Sequence, residues 1–162
     1  MGLFDKLTKK FSNTTTVYTP VHGEVISLKD IADGIFSEGI LGKGVGIRPA
    51  DGVVYAPFDG KVVQIADTKH AICIENHAGV QLMIHVGLDT VNMEGNGFEQ
   101  QVKVGDTVTC GQQIMTFSID EIQKAGYPTT AVVVILNSND YSSIELLGEG
   151  QMTKADKLIQ IS

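Results

Sequence analysis

The chain has 162 residues, 43% of them hydrophobic, and a formal net charge of −7, which fits one domain with a real core. A nucleic-acid binder would show a basic face, so the acidic balance sets that class aside and suits contact with basic partners. No run is long and apolar enough to span a bilayer, and residues 1–16 lack the apolar core and cleavage site of a secretory signal, so a cytoplasmic chain is expected.

The opening stretch, MGLFDKLTKKF, differs from the rest of the chain. Leu3, Phe4, Leu7 and Phe11 fall on one helical face, with Lys6, Lys9, Lys10 and Asp5 among them. Three lysines against one acid give this segment +2 and leave −9 on residues 12–162. A short basic amphipathic helix of this kind can lie on an anionic membrane; the other readings are a tail or a helix packed on the domain. The polar run SNTTT reads as a linker, so residues 1–16 form an arm and linker and residues 17–162 the domain.

From Val17 onward the helical period gives way to short β-branched segments punctuated by Gly, Pro, Asn and Asp. The pattern predicts strands at Val17–Tyr18, Glu24–Ser27, Val45–Pro49, Gly52–Tyr55, Gly60–Ile65, Ala71–Glu75, Val80–Val86, Phe98–Gln101, Thr107–Val108, Gln113–Ser118, Ala131–Leu136 and Leu158–Ile161. Helix is scarce: a turn at Asp30–Ala32, and one or two turns over Asp120–Ala125 capped by Asp120. Cys73 and Cys110 form no CxxC pair and are expected to be reduced, buried thiols.

Two internal echoes support an all-β fold. YTPVHGEVISL and YAPFDGKVVQI share Y-x-P-x-x-G-x-V, in which Pro ends one ladder and Gly permits a tight turn into the next strand. VKVGDTVTCGQQIMTF is echoed by GQMTKADKLIQI at the C-terminus. Repeated short units of this sort predict an antiparallel sandwich or barrel with few short helices.

Three of the four histidines fall in TKHAICIENHAGVQLMIHVG. A hairpin turning on a four-residue Asn76–Gly79 loop, or on His77–Ala78 alone, pairs His70 directly with His85. Opposed Cβ atoms lie about 4.5–5.5 Å apart on one face, within reach of a hydrogen bond or a shared ligand. A three- or five-residue loop would break this pairing. Facing imidazoles have coupled titrations and mark nucleophile or metal sites more often than packing. His77, in the turn, and His22, in the first Y-x-P-x-x-G, read as surface residues. Thr68 shares the face of His70 and offers a hydroxyl. Gly87 permits close backbone approach, and its carbonyl can hold one ring nitrogen of His85, which places the lone pair on the other. Asp89 is a nearby carboxylate or a turn cap.

These residues resemble a known family. TKHA, HVGLDTV fifteen residues beyond His70 and then GNGF, together with DGIFSEGILGKGVGIRP, YAPFDGKVV and VKVGDTVTCGQQI, are similar to the glucose-family enzyme IIA of the bacterial phosphotransferase system. GLFDKL resembles the N-terminus of the free-standing enteric form. The resemblance implies an antiparallel β-sandwich of the duplicated hybrid motif type. It implies a phosphocarrier that accepts a phosphoryl group from phospho-HPr and passes it to a cysteine of a permease IIB domain. By motif position His85 is phosphorylated on Nε2, His70 supports the phosphate, Thr68 supplies the hydroxyl, and Asp33 and Asp89 flank the site. Phe36, Ile40, Met83 and Val91 are candidates for an apolar docking ring. The chain departs from the family pattern at Ala66 and Met83, where aromatics are common, and at Lys43, where an acid is usual.

The implied transfer needs no cofactor, although His70 and His85 would take zinc if a partner added a carboxylate. Regulated permeases or kinases are further implied partners. The membrane is expected to be met transiently, at its inner surface, through residues 1–11. A zinc hydrolase of related β architecture would want an H-x-H pair, and VGLD follows His85 instead. A biotin or lipoyl carrier module would want a lysine at the hairpin tip, where NHAG stands.

Overall fold

Short segments between turn residues pair into antiparallel sheets, mostly with partners distant in the chain. A computed structural model describes residues 14–31 and 34–162. The strands are β1 (Thr15–Tyr18), β2 (Gly23–Ser27), β3 (Lys43–Pro49), β4 (Val53–Tyr55), β5 (Gly60–Ile65), β6 (Ala71–Glu75), β7 (Gln81–Val86), β8 (Phe98–Gln100), β9 (Thr107–Val108), β10 (Gln113–Phe117), β11 (Ala131–Ile135), β12 (Ile144–Leu146), β13 (Gly150–Met152) and β14 (Lys157–Ile161). Eight of them form one sheet in the order β13-β2-β3-β11-β7-β6-β5-β9, and two three-stranded sheets, β1-β14-β12 and β4-β10-β8, complete the fold.

The large sheet has apolar residues on both faces. One face carries the main core, which includes Val45, Ile47, Ile72, Ile74, Leu82, Ile84 and Val133, all 1% exposed or less. The other face carries a smaller cluster of Ile31, Phe36, Leu88, Val132 and Val134, against which Ile26, Leu28 and Met83 pack. This explains why β11 reads AVVVI without alternation and is buried at every position.

The Y-x-P echo is a structural repeat. The Tyr18 N–H donates to Pro57 O at 2.8 Å, and the Tyr55 N–H donates to Pro20 O at 2.7 Å, so the two copies clasp each other reciprocally. The second echo builds matching turns. Thr109 N–H donates to Gln112 Oε1, and Thr153 N–H donates to Asp156 Oδ2.

Several expectations are corrected. β1 begins at Thr15, inside the run read as linker. The strands β12 and β13 carry little β-branched signal and were not expected. The short helix α1 (Gly34–Ser37) was not expected either. The helix α2 (Ile119–Lys124) is capped by Ser118, whose hydroxyl accepts from Glu121 N–H, and not by Asp120. The first helical turn is a 3-10 turn at Leu28–Asp30, capped by Ser27. Cys73 is buried but Cys110 is exposed. The arm expected over residues 1–11 lies outside the described residues. Among the described residues, no helix is long and apolar enough to cross a membrane.

Candidate active site

The hairpin that carries the histidines has a different register from the one the sequence suggests. Glu75 pairs with Gln81, Cys73 with Met83, and Ala71, not His70, with His85. The cause is Gly79. Its left-handed φ of 87° makes His77–Ala78–Gly79 a three-residue connection. Asn76 and Val80 close it: the Val80 N–H donates to Asn76 Oδ1 at 2.9 Å.

The imidazoles meet nonetheless. His70 lies one residue outside the ladder, its carbonyl accepting from the Val86 N–H at 2.8 Å. The preceding Lys69 is left-handed (φ 64°), which takes His70 off the strand pleat. The His70 and His85 ring centroids are 4.7 Å apart with the planes at 80°. Ala71 opposite His85 is the smallest side chain available there, and it leaves the space that the His70 ring uses.

His85 Nδ1 lies 2.9 Å from Gly87 O. A carbonyl only accepts, so the Nδ1–H donates and the lone pair sits on Nε2. The Gly87 carbonyl reaches back because Gly87 is left-handed (φ 78°) and its N–H is held by Thr130 O at 2.9 Å. The Thr90 hydroxyl donates to Val86 O at 2.6 Å and pins the same loop. The Phe36 ring lies 5.1 Å from that of His85, tilted by 58°.

His70 is 6% exposed. Burial lowers its pKa below the ordinary imidazole value, with a backbone hydrogen bond to Thr68 acting the other way. Its Nδ1 lies 2.8 Å from Thr68 Oγ1. Thr68 thus holds the Nδ1 edge of the His70 ring and leaves its Nε2 edge for a ligand. The Phe98 ring also meets His70 edge-on, with centroids 6.4 Å apart.

The remaining expected residues divide. Met83 and Phe36 lie in or against the small apolar cluster that His85 borders. Ile40 is 67% exposed in the turn after α1, and Val91 is 50% exposed in a 3-10 turn at Thr90–Met93. Asp89 is exposed and left-handed (φ 62°), and its side chain caps no backbone group of that turn, so the capping role falls away. Asp33 lies outside the described residues. His77 is exposed as expected. His22 is not a plain surface residue: it is half-buried, stacked on Tyr55 with ring centroids 4.9 Å apart and paired with Asp51 at 3.2 Å. Sequence reasoning missed Ala71, Phe98 and Thr90. A buried Thr four residues beyond Val86 carries no distinctive signal, and the role of Ala71 emerges only once the register is known.

The sequence matches the family described as phosphoenolpyruvate-dependent sugar phosphotransferase system, EIIA 1, over residues 15–141. The chain belongs to this family. It is 34% identical over 155 residues to a glucose-specific EIIA component of Staphylococcus aureus, covering 95% of this chain and 93% of that one. A beta-glucoside-specific EIIBCA component of Dickeya chrysanthemi is 40% identical over 90% of this chain, which spans only 23% of that longer protein. The solved glucose permease IIA from Mycoplasma capricolum superposes with a TM-score of 0.82 at 30% identity, covering 91% of this chain and 95% of that one. The all-β expectation and the enzyme IIA resemblance are both borne out.

Proposed function

We propose that this EIIA-family chain is a phosphocarrier that takes a phosphoryl group from phospho-HPr onto His85 Nε2 and yields it to a cysteine of a sugar permease IIB domain. The observation that carries this reading is the Nδ1–H of His85 on the Gly87 carbonyl at 2.9 Å, with the His70 ring 4.7 Å away. In the first step the Nε2 lone pair of His85 attacks phosphorus. The P–N bond to HPr breaks and its electron pair returns to the HPr imidazole. In the second step the IIB thiolate attacks, and the His85 P–N pair returns to Nε2. Such transition states are loose, so positioning and charge stabilisation carry the rate.

His70 donates from Nε2 to a phosphoryl oxygen and is itself held by Thr68. Asp33 and Asp89 offer carboxylates to cations on a docking partner. Ile40 and Val91, with Phe36 and Met83 toward the ring, form the apolar face that two different partners must reach. The name EIIBCA borne by the Dickeya chrysanthemi relative supports a IIB partner. No cofactor takes part in the transfer. His70 and His85 bind zinc only when a partner adds a third ligand. The protein works in the cytoplasm and visits the inner membrane surface through residues 1–11.

The test is incubation with phosphoenolpyruvate, enzyme I and HPr. Acid-labile, base-stable phosphate is expected, lost in His85→Gln. His70→Gln should take up phosphate but fail to pass it on to IIB. Normal labelling of His85→Gln would sink the assignment.

A further inference from the structure

The geometry points to Gln100 as a positioning residue for His70: its amide locks the left-handed Lys69 peptide that swings His70 out of ladder register and onto His85. This rests on the phosphocarrier reading for its consequence, but not for its geometry.

The ladder alone would not bring the imidazoles together, because Ala71 occupies the place opposite His85. The ring contact therefore depends on the departure from the pleat at Lys69. A left-handed non-glycine residue is disfavoured by about 1–2 kcal/mol and persists only where its surroundings hold it. Two contacts do so here. The Lys69 N–H donates to Ala66 O at 2.8 Å, closing the turn from its N-terminal side. The Gln100 Nε2 donates to Lys69 O at 2.9 Å, fixing the peptide that leads into His70.

The orientation of the Gln100 amide is decided by its neighbours. Nε2 also lies 2.9 Å from Met115 Sδ. Lys69 O and the thioether are both acceptors, so the nitrogen must face them, and its two N–H groups are both used. Gln100 Oε1 is buried and has no hydrogen-bond partner among the described residues. The amide thus accepts an unsatisfied oxygen in order to keep its donors on Lys69 and Met115. Gln100 also ends the strand that begins with Phe98, whose ring meets His70. One short strand therefore supplies both a ring in edge contact with His70 and the clamp on its backbone.

The experiment uses the full chain with Gln100→Leu and Gln100→Met, two variants of similar volume without N–H donors, and Gln100→Lys, which restores a donor. The first readout is the nuclear Overhauser effect between the His70 and His85 rings in the unphosphorylated protein. The second is the single-turnover rate from phosphorylated His85 to IIB. The Leu and Met variants should weaken the inter-ring effect and slow onward transfer about fivefold to tenfold, the scale of one lost hydrogen bond. Gln100→Lys should recover the inter-ring effect. A folded Leu or Met variant that keeps both the ring contact and the parent rate overturns the proposal, even if it melts earlier. If the parent itself takes no phosphate from phospho-HPr, the phosphocarrier reading fails, and the ring contact still decides the role of Gln100.

Discussion

Gly87→Ala should damage the fold and the site together. Gly87 has φ 78°, and a Cβ built there would lie 2.4 Å from Thr90 Cγ2 and 3.0 Å from Pro128 O. The left-handed conformation costs alanine about 1 kcal/mol. The Thr90 methyl cannot turn aside cheaply, because Thr90 is fully buried and its hydroxyl donates to Val86 O at 2.6 Å. Overpacking of this kind adds about 1–3 kcal/mol. The expected loss is therefore about 2–4 kcal/mol in urea unfolding, which leaves a domain of ordinary stability folded. The same displacement pulls the Gly87 carbonyl from His85 Nδ1–H, so phosphate uptake should slow by roughly tenfold. Thr90→Ser removes the clashing methyl and keeps the hydroxyl. The double variant should recover about 1–2 kcal/mol beyond additivity. Gly87→Ala within about 0.5 kcal/mol of the parent, or strict additivity with Thr90→Ser, would rule out this clash, both thresholds being roughly the noise of such cycles.

His70 sets a pH dependence of stability. Its folded pKa is lowered by burial, so the unfolded chain binds the proton first as pH falls. The stability from neutral His70 is intact above about 6.5 and is lost as pH drops through that value toward the lower folded one. Urea midpoints at pH 8 and pH 5 should therefore separate less in His70→Asn than in the parent; equal separation would contradict this. Ala71→Val should push the two rings apart and slow onward transfer to IIB, whereas Ile72→Val, on the core face, should cost about 1 kcal/mol and leave transfer alone. Thiol titration at pH 8 should find one faster-reacting group, Cys110: burial pushes both thiols up, but Cys110 is exposed, whereas Cys73 is buried and pushed up to about 11. Both thiols should react in urea, and two fast thiols in the native protein would contradict the burial of Cys73.

Twelve strands were legible because nearly all are β-branched or aromatic segments between turn residues, and the clasp of the two Y-x-P copies was foreshadowed by their shared spacing. The strands at Ile144–Leu146 and Gly150–Met152 were not. They are short, partly exposed and interrupted by Gly148 and Gly150, so neither period nor propensity marks them. The site was half legible. Thr68, His70, His85 and Gly87 were found and their contacts anticipated, yet the register behind them was off by one. A single left-handed Gly79 makes the turn three residues, neither two nor four, and a single left-handed Lys69 compensates by carrying His70 back to His85. Both are backbone choices that composition does not announce. The cap of the second helix shows the same limit: Ser118 and Asp120 are both good caps, and only the Glu121 N–H direction decides between them.

On the proposed function, the Gly87 carbonyl, by holding Nδ1–H, makes Nε2 of His85 the phosphoryl acceptor. The direct measurement is nitrogen-15 and phosphorus-31 resonance spectroscopy of the chain labelled through enzyme I and HPr. Phosphorus is expected coupled to Nε2 of His85 alone, with Nδ1 still carrying its proton. Phosphorus on Nδ1, or on any other residue, would contradict it.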